Sequence, residues 1–351
     1  MANSSRKQLH IEAIQTVTPG RAAEPGQARR ISLPSPTSAD TLLQSHARIL
    51  LYYQTSSKEE TTATLAAHLK ESLNHIIPEE PLLAGRLRKD GEKDGYWEIK
   101  YNDAGIRLVQ AVVDTSMDEF LSGEEREARE EMLAYWMDIK YEDSQFWPLF
   151  YVQVTEFQGD GYSIGISWSI LLTDHLFMTR FLKTWARTHR EMQAQGEFSE
   201  ANIFHLNYFK TPTRTSIDFI SGSSTPPRTI LYKAPRSSDL QALVHHLIEN
   251  NHVSEFSLFV NDHSGDCLKV ENFASGSSQT PLENCFSDKL SVAGWDELEA
   301  GDLYFVTENK PVHVSFQVVS SDEHKGLVVA MLPSQQTGPD LMISVTVPVE
   351  N

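Results

Sequence analysis

The chain has 351 residues, of which 40% are hydrophobic and 22% charged, a balance typical of a globular protein large enough for two domains. Its formal net charge of −18 argues against nucleic acid and anionic membrane surfaces as partners, because like charges repel. The two cysteines are too few for a disulfide scaffold and favour a reducing compartment. No apolar stretch is long enough for a transmembrane segment and the N-terminus lacks a signal-peptide pattern, so we expect a cytoplasmic protein.

The first part of the chain alternates between predicted strands and helices. Residues 1–36 are rich in Ser, Pro, Gly and Ala and predict a flexible N-terminal segment with a possible edge strand, and residues 21–40 read as loop. Apolar runs and hydrophobic periodicity then predict a buried strand at 47–54, a helix at 59–76, strands at 81–87, 96–101 and 106–113, and an acidic helix with a solvated face at 117–138.

A polar cluster follows the second strand of a predicted hairpin. Residues 150–156 and 162–169 are the predicted strands, joined by a Gly-Asp-Gly turn. The second strand runs through Trp168 and Ser169 to Thr173, Asp174 and His175, and an amphipathic helix follows. Polar residues at the end of a strand and before a helix are a common arrangement in binding and catalytic sites.

The last part of the chain predicts a second, sheet-rich lobe. Residues 211–238 are rich in Pro, Thr and Ser and predict a crossover linker. Hydrophobic periodicity predicts a helix at 239–250, and alternation predicts strands at 303–306, 312–319, 326–332 and 341–347.

Four blocks in chain order resemble the BAHD family of plant acyl-CoA acyltransferases, which carry a His-x-x-x-Asp motif. These blocks are Pro81-Leu-Leu-Ala-Gly-Arg-Leu87, Asn102-Asp-Ala-Gly-Ile106 with Val109-Gln-Ala111, residues 148–157 and residues 165–185. The resemblance implies an α/β fold with two lobes, of the chloramphenicol acetyltransferase type, and a solvent channel between the lobes. We expect the lobes at 37–210 and 239–351, on either side of the linker.

The chain departs from the family motif at the residue that matters most for catalysis. In the family, the His is the general base and the Asp orients the loop. Asp174 matches the Asp, but Ile170 stands where the His is expected, and an aliphatic side chain cannot accept a proton. We therefore predict no catalytic residue, with Trp168, Ser169 and Thr173 as substrate-binding residues. A rescue hypothesis makes His175 the base, although a polar residue near a helix N-terminus is the simpler interpretation.

Two further features point within the family to the eceriferum branch and to a shortened second lobe. Ile166-Ser-Trp168 resembles that branch, and Lys310-Pro311 preserves the end of a C-terminal structural motif whose Asp position falls on Phe305. The family has a crossover loop, a helix and strands after a position equivalent to Phe209. Here a short linker leads directly to a helix that resembles a later part of the lobe.

The resemblance implies three alternative functions. The first is a non-catalytic accessory factor of very-long-chain fatty acid elongation in cuticular wax synthesis. It would be peripheral on the endoplasmic reticulum beside a ketoacyl-CoA synthase, with long-chain acyl-CoA as a possible ligand. The second is an acyl-CoA-dependent acyltransferase acting on a hydroxyl or amine, and the third is a truncated homologue without function. The chain has no phosphate-binding loop and no metal-ligand spacing, so we predict no cofactor and no metal.

Overall fold

The computed structural model describes residues 8–33, 39–55, 61–89, 96–123, 126–159, 161–198, 215–218, 227–236, 238–251, 253–261, 266–274, 291–320, 325–330 and 340–348. The strands are β1 (Gln8–Val17), β2 (Ala28–Ser32), β3 (His46–Gln54), β4 (Arg86–Lys89), β5 (Tyr96–Lys100), β6 (Ile106–Val113), β7 (Phe150–Phe157), β8 (Gly161–Ser169), β9 (Thr215–Asp218), β10 (Arg228–Pro235), β11 (Glu255–Asn261), β12 (Cys267–Ala274), β13 (Ser291–Ala293), β14 (His313–Val319), β15 (Lys325–Val329) and β16 (Asp340–Val347). The α-helices are α1 (Ala39–Gln44), α2 (Thr62–Ile76), α3 (Met117–Leu121), α4 (Arg126–Arg129), α5 (His175–Gln195) and α6 (Leu240–Asn251).

The first sheet has seven strands in the order β14-β3-β8-β7-β6-β1-β9. Only β6 and β7 pair in parallel, and the other neighbours are antiparallel. β3 and β8 lie side by side with Leu50 opposite Gly165, and all nine residues of β8 are buried. Because successive side chains of a strand point to opposite faces of the sheet, β8 is covered on both faces.

The second sheet has nine strands in the order β13-β10-β16-β15-β11-β12-β2-β5-β4. Helix α6 covers one part of it through Leu243, Val244 and Leu247, which belong to the same buried cluster as Phe256 of β11. Gly326 lies beneath that ring, because a Cβ there would come within 2.1 Å of it. The predicted helix at 239–250 is confirmed at Leu240–Asn251.

Each of the two sheets combines strands from the N-terminal part of the chain with strands from the C-terminal part. β2, β4 and β5 precede residue 101; β5 pairs with both β2 and β4, and β2 pairs with β12 of the C-terminal part. In return, β14 adds to the edge of the first sheet beside β3. β1 lies between β6 and β9, so β9 holds the edge position at that side. This exchange ties the two parts of the chain together.

Helices α2 and α5 pack on the first sheet and enclose the main core. Helical spacing predicts a core face of α5 made of Phe177, Met178, Phe181, Leu182 and Trp185. The structure buries Met178, Phe181, Leu182 and Trp185 and leaves Phe177 half-buried. The helix extends beyond the amphipathic segment predicted at residues 175–187 and ends at Gly196, whose φ of 68° suits the left-handed conformation that often closes a helix.

Five regions differ from the prediction. Residues 28–32 form a strand instead of a loop, and β10 lies within the predicted linker, of which residues 211–214, 219–226 and 237 are outside the described ranges. Residues 81–84 form a 3₁₀ turn that starts at Pro81, and the predicted strand at 303–306 is irregular. The acidic segment 117–138 breaks into α3, α4 and a 3₁₀ turn, in which Glu130 is buried.

Candidate functional site

The β7–β8 hairpin is followed by residues 170–174, the motif loop, which leads into the N-terminus of α5. The two strands pair antiparallel with Phe150 opposite Trp168, as predicted for a hairpin. Gly165 lies in β8 where the 3₁₀ turn at Glu130–Leu133 crosses the sheet. A Cβ at this position would come within 1.9 Å of the Leu133 carbonyl oxygen, so only glycine fits.

Ile170 begins the turn between β8 and α5 and is part of the main core. Its side chain is only 1% exposed, and it shares the buried cluster with its neighbours Leu171 and Leu172. Its backbone N–H approaches the Ser45 carbonyl at 3.5 Å. The side chain at the position of the family's base is therefore an aliphatic core residue.

Asp174 is the N-cap of α5. Its carboxylate accepts a 2.7 Å hydrogen bond from the backbone N–H of Phe177, a common way to satisfy the first turn of a helix. Burial raises the pKa of Asp174 to about 6, and this rise is opposed by backbone hydrogen bonds from Phe177 and Leu176 and by the charges of Arg180 and Arg29. Asp174 thus caps the helix that follows the motif loop, and its role as the residue that orients the loop stays a prediction.

Arg29 of β2 is a site residue that sequence reasoning missed. Its guanidinium donates a 2.6 Å hydrogen bond to the Leu172 carbonyl and a second one to the Asn261 side chain of β11. It is only 5% exposed, so these bonds join the motif loop to the second sheet inside the protein. Because the segment around Arg29 was predicted to be a loop, its sequence gave no signal for this contact.

The predicted substrate-binding residues contact the protein itself. The indole N–H of Trp168 donates to the Thr173 carbonyl at 3.0 Å, and the ring is fully buried. The Ser169 hydroxyl accepts the Leu171 N–H at 3.2 Å. Trp168, Ser169 and Thr173 therefore build the turn, and their role toward a substrate stays a prediction.

His175 lies within a group of aromatic rings at the start of α5. Its ring contacts Trp168 and Trp295 edge-on, each with 5.2 Å between centroids, and Phe316 of β14 at 6.1 Å. Burial lowers the pKa of His175 to about 4, although a hydrogen bond to the Gln317 carbonyl raises it. The imidazole is therefore neutral at pH 7 and is only 3% exposed.

The segment that holds the retained C-terminal motif residues contacts the middle of α5. Lys310 forms a 2.7 Å ion pair with Asp302, and both side chains are exposed. Phe305, at the position of the family's motif Asp, is buried and packs edge-on against Trp185 with 4.6 Å between centroids. An apolar contact with α5 thus takes the place that the family gives to a carboxylate, and the role of Pro311 stays a prediction.

Neither a metal centre nor a membrane-spanning helix is found where the structure is described. No cluster of three or more His, Cys, Asp or Glu side chains within those ranges could hold a metal ion, and Cys285 falls outside them. Within the same ranges, no helix has the length and hydrophobicity needed to cross a bilayer.

The sequence profile of the transferase family matches residues 9–218, which is more than half of the chain. The chain therefore belongs to this family, the BAHD acyltransferases. Among solved structures, vinorine synthase superposes with a TM-score of 0.50 at 15% identity, over 97% of this chain and 95% of that one. The predicted α/β fold class and family are confirmed by these two matches.

Curated relatives include eceriferum proteins and acyltransferases. Protein ECERIFERUM 26-like of Arabidopsis thaliana is 27% identical over 180 residues, or 51% of this chain and 40% of the relative. Protein ECERIFERUM 26 of the same plant is 27% identical over 234 residues, or 66% and 51%. Hydroxycinnamoyl-CoA:piscidic acid hydroxycinnamoyltransferase of Actaea racemosa is 32% identical over 162 residues, or 46% and 34%. The chain spans about half or less of the length of these relatives.

Proposed function

We propose that this BAHD-family protein is a non-catalytic accessory factor of very-long-chain fatty acid elongation in cuticular wax synthesis. In this role it binds long-chain acyl-CoA and acts on a ketoacyl-CoA synthase at the cytoplasmic face of the endoplasmic reticulum. The observation that carries the proposal is Ile170, buried in the core where the family has its base. Similarity to eceriferum proteins supports the choice of pathway.

The polar side chains of Asp174 and Ser169, on either side of Ile170, are engaged in hydrogen bonds of the protein itself, which supports a non-catalytic role. The Asp174 carboxylate caps α5, and the Ser169 hydroxyl is bonded within the turn. Loss of a general base lowers a rate by roughly 10²–10⁴-fold. An accessory role needs the fold and the ligand site but no proton transfer, so it is compatible with an aliphatic residue at this position.

The first experiment compares acyl transfer by the wild type, Ile170→His and the matched control Ile170→Leu. Release of free CoA from palmitoyl-CoA is measured with a long-chain alcohol as acceptor, and binding of palmitoyl-CoA is measured by calorimetry. We expect the wild type and Ile170→Leu to bind palmitoyl-CoA without releasing CoA above the buffer rate. Turnover by the wild type that disappears in Asp174→Asn would contradict the proposal.

A second experiment tests the accessory role directly. The protein is expressed in yeast together with a plant ketoacyl-CoA synthase, and the chain lengths of the fatty acids are measured by gas chromatography. We expect longer acyl products with the wild type and equally long ones with Ile170→Leu. Unchanged chain lengths, together with no binding of palmitoyl-CoA, would favour a truncated homologue without function.

The second candidate function is an acyl-CoA-dependent acyltransferase with a displaced base. It is favoured by the position of His175, directly after Asp174 at the start of α5, where the imidazole is neutral at pH 7, although a pKa of about 4 makes it a weaker base than an ordinary histidine. The similarity to a hydroxycinnamoyltransferase points to the same reaction class. If His175 is the base, His175→Gln lowers CoA release by roughly 10²–10⁴-fold. Equal release by His175→Gln and the wild type would exclude this route.

A further inference from the structure

A short segment of the chain covers the aromatic group around His175. β13 pairs with β10 at the edge of the second sheet, and residues 294–299 then run toward the first sheet. We call these residues the strap. Beyond the strap, Leu303 is fully buried, and its carbonyl accepts a 2.5 Å hydrogen bond from the Tyr53 hydroxyl of β3. The strap therefore lies between an anchored strand on one side and an anchored turn on the other.

Trp295 is the residue of the strap that faces the motif. Its indole stacks on Phe316 with 4.6 Å between ring centroids and 10° between the ring planes. The same indole meets the His175 ring nearly edge-on, with 66° between the planes. Leu298 of the strap packs beside it in a small apolar cluster with Leu231. A flat apolar side chain thus covers both His175 and Phe316.

The polar attachments of the strap are weak. Glu297 pairs with Lys233 of β10, and Glu299 pairs with Lys183 of α5. The exposed fractions of these four side chains lie between 34% and 68%. Ion pairs with this exposure each shift an equilibrium by about twofold to fivefold and are screened by salt.

The backbone at the end of the strap is suited to a change of conformation. Glu299 has a φ of 54°, a left-handed conformation that is unfavourable for a residue with a side chain. It separates the 3₁₀ turn of the strap from the next turn at Ala300–Asp302, which is held in place by the buried Ala300. A strained joint between a weakly attached segment and a fixed one is a natural position for a hinge.

We propose that the strap is a displaceable lid, and that Trp295 takes the place of an apolar group of a ligand that binds against His175 and Phe316. Opening at Glu299 would uncover both rings without disturbing β14 or α5. The inference deepens the proposed function, since it locates one contact for a ligand of the protein. It rests on that function only for the identity of the ligand as an acyl-CoA.

Hydrogen exchange followed by mass spectrometry tests whether the strap opens locally. The variant combines Lys183→Met and Lys233→Met, which remove both ion pairs but keep the aliphatic stems. We expect exchange of residues 294–299 to accelerate by about tenfold, from two exposed pairs of ordinary strength, while α5 and β14 keep their protection. Unchanged exchange in the strap, or equal acceleration in α5 and β14, would overturn the lid.

Binding of free indole tests whether the place of Trp295 accepts a ligand. We expect Trp295→Ala to bind indole and to be stabilised by it against heat, because a flat apolar ligand refills the space left by the side chain. Trp295→Phe is the matched control and should not bind indole. Absence of indole binding by a folded Trp295→Ala protein would refute the proposed ligand position.

Measuring the binding of palmitoyl-CoA distinguishes a failure of the proposed lid from a failure of the proposed function. Tighter binding of palmitoyl-CoA by Trp295→Ala than by the wild type supports both. If indole binds Trp295→Ala but palmitoyl-CoA binds no variant, the lid is supported and the accessory function fails. If palmitoyl-CoA binds the wild type and Trp295→Ala equally while indole does not bind, the function is supported and the lid is overturned.

Discussion

Replacement of Asp174 by Asn tests whether the motif carboxyl is a buried acid whose pKa is raised by folding. The amide still accepts the N–H of Phe177 but cannot titrate. Burial raises the pKa of Asp174 from its ordinary value of 3.8 to about 6. The folded protein therefore binds this proton more tightly than the unfolded chain does. As a result, Asp174 adds stability at low pH that is lost as the pH rises through about 6.

The raised pKa sets the size of the effect. A shift from 3.8 to about 6 corresponds to about 3 kcal/mol in the free energy of unfolding, of which about 1.4 kcal/mol is lost between pH 5 and pH 7.5. Unfolding by urea, followed by tryptophan fluorescence, gives this free energy for the wild type and Asp174→Asn. The difference between the two proteins is the useful quantity, because it cancels the opposite slope from His175, whose pKa is lowered.

The wild-type value should fall relative to Asp174→Asn by about 1.4 kcal/mol from pH 5 to pH 7.5. Asp302→Asn is the control at the surface. The ion pair with Lys310 lowers the pKa of Asp302, so its titration lies below this range and the corresponding difference should stay flat. A constant difference for Asp174→Asn, or one that grows with pH, would refute the account of a buried carboxyl at the helix cap.

Two further substitutions test the packing that positions the site. Gly165→Ala should lower the free energy of unfolding by about 1–3 kcal/mol, because the new methyl group clashes with the Leu133 carbonyl. The control Gly301→Ala, where the methyl group enters open space, should change it by no more than about 0.5 kcal/mol. Equal effects of the two substitutions in urea unfolding would contradict the close approach of Gly165 to the Leu133 carbonyl. Glu130→Ala should cost about 3–5 kcal/mol in the same assay. The fully buried Glu130 accepts hydrogen bonds from Tyr52 and from Ser315 of β14, at 3.1 and 2.6 Å. A loss below about 1 kcal/mol would mean that this network does not hold β14 in place.

Local sequence patterns predicted those elements that are stabilised by nearby contacts. The helix at Thr62–Ile76 repeats leucine every four residues, and its N-cap Thr61 accepts the Thr64 N–H. The hairpin before the motif and the core face of α5 follow from apolar runs and from helical periodicity in the same way. Each of these patterns reflects burial of one face of a single element, which is visible in a short window of sequence.

The acidic segment shows where local patterns failed. Its charge predicted a solvated helix, but Glu130 is fully buried and the helix is broken. The reason lies far along the chain, in Ser315 and Gln317 of β14, which donate hydrogen bonds to Glu130. A carboxylate that looks like a surface residue can be buried when distant donors satisfy it, and nothing near Glu130 in sequence predicts those donors.

The sequence by itself determined the family, the presence of the aliphatic Ile170 four residues before Asp174 and the position of Asp174 before a helix, because these depend on residue identity and local order. Only the tertiary structure decided that Arg29 joins the motif loop to the second sheet and that Trp295 covers His175. Both contacts join residues more than a hundred positions apart, in strands and turns whose neighbours come from the other half of the chain. Such contacts are fixed by sheet order and packing, which no short window of sequence records.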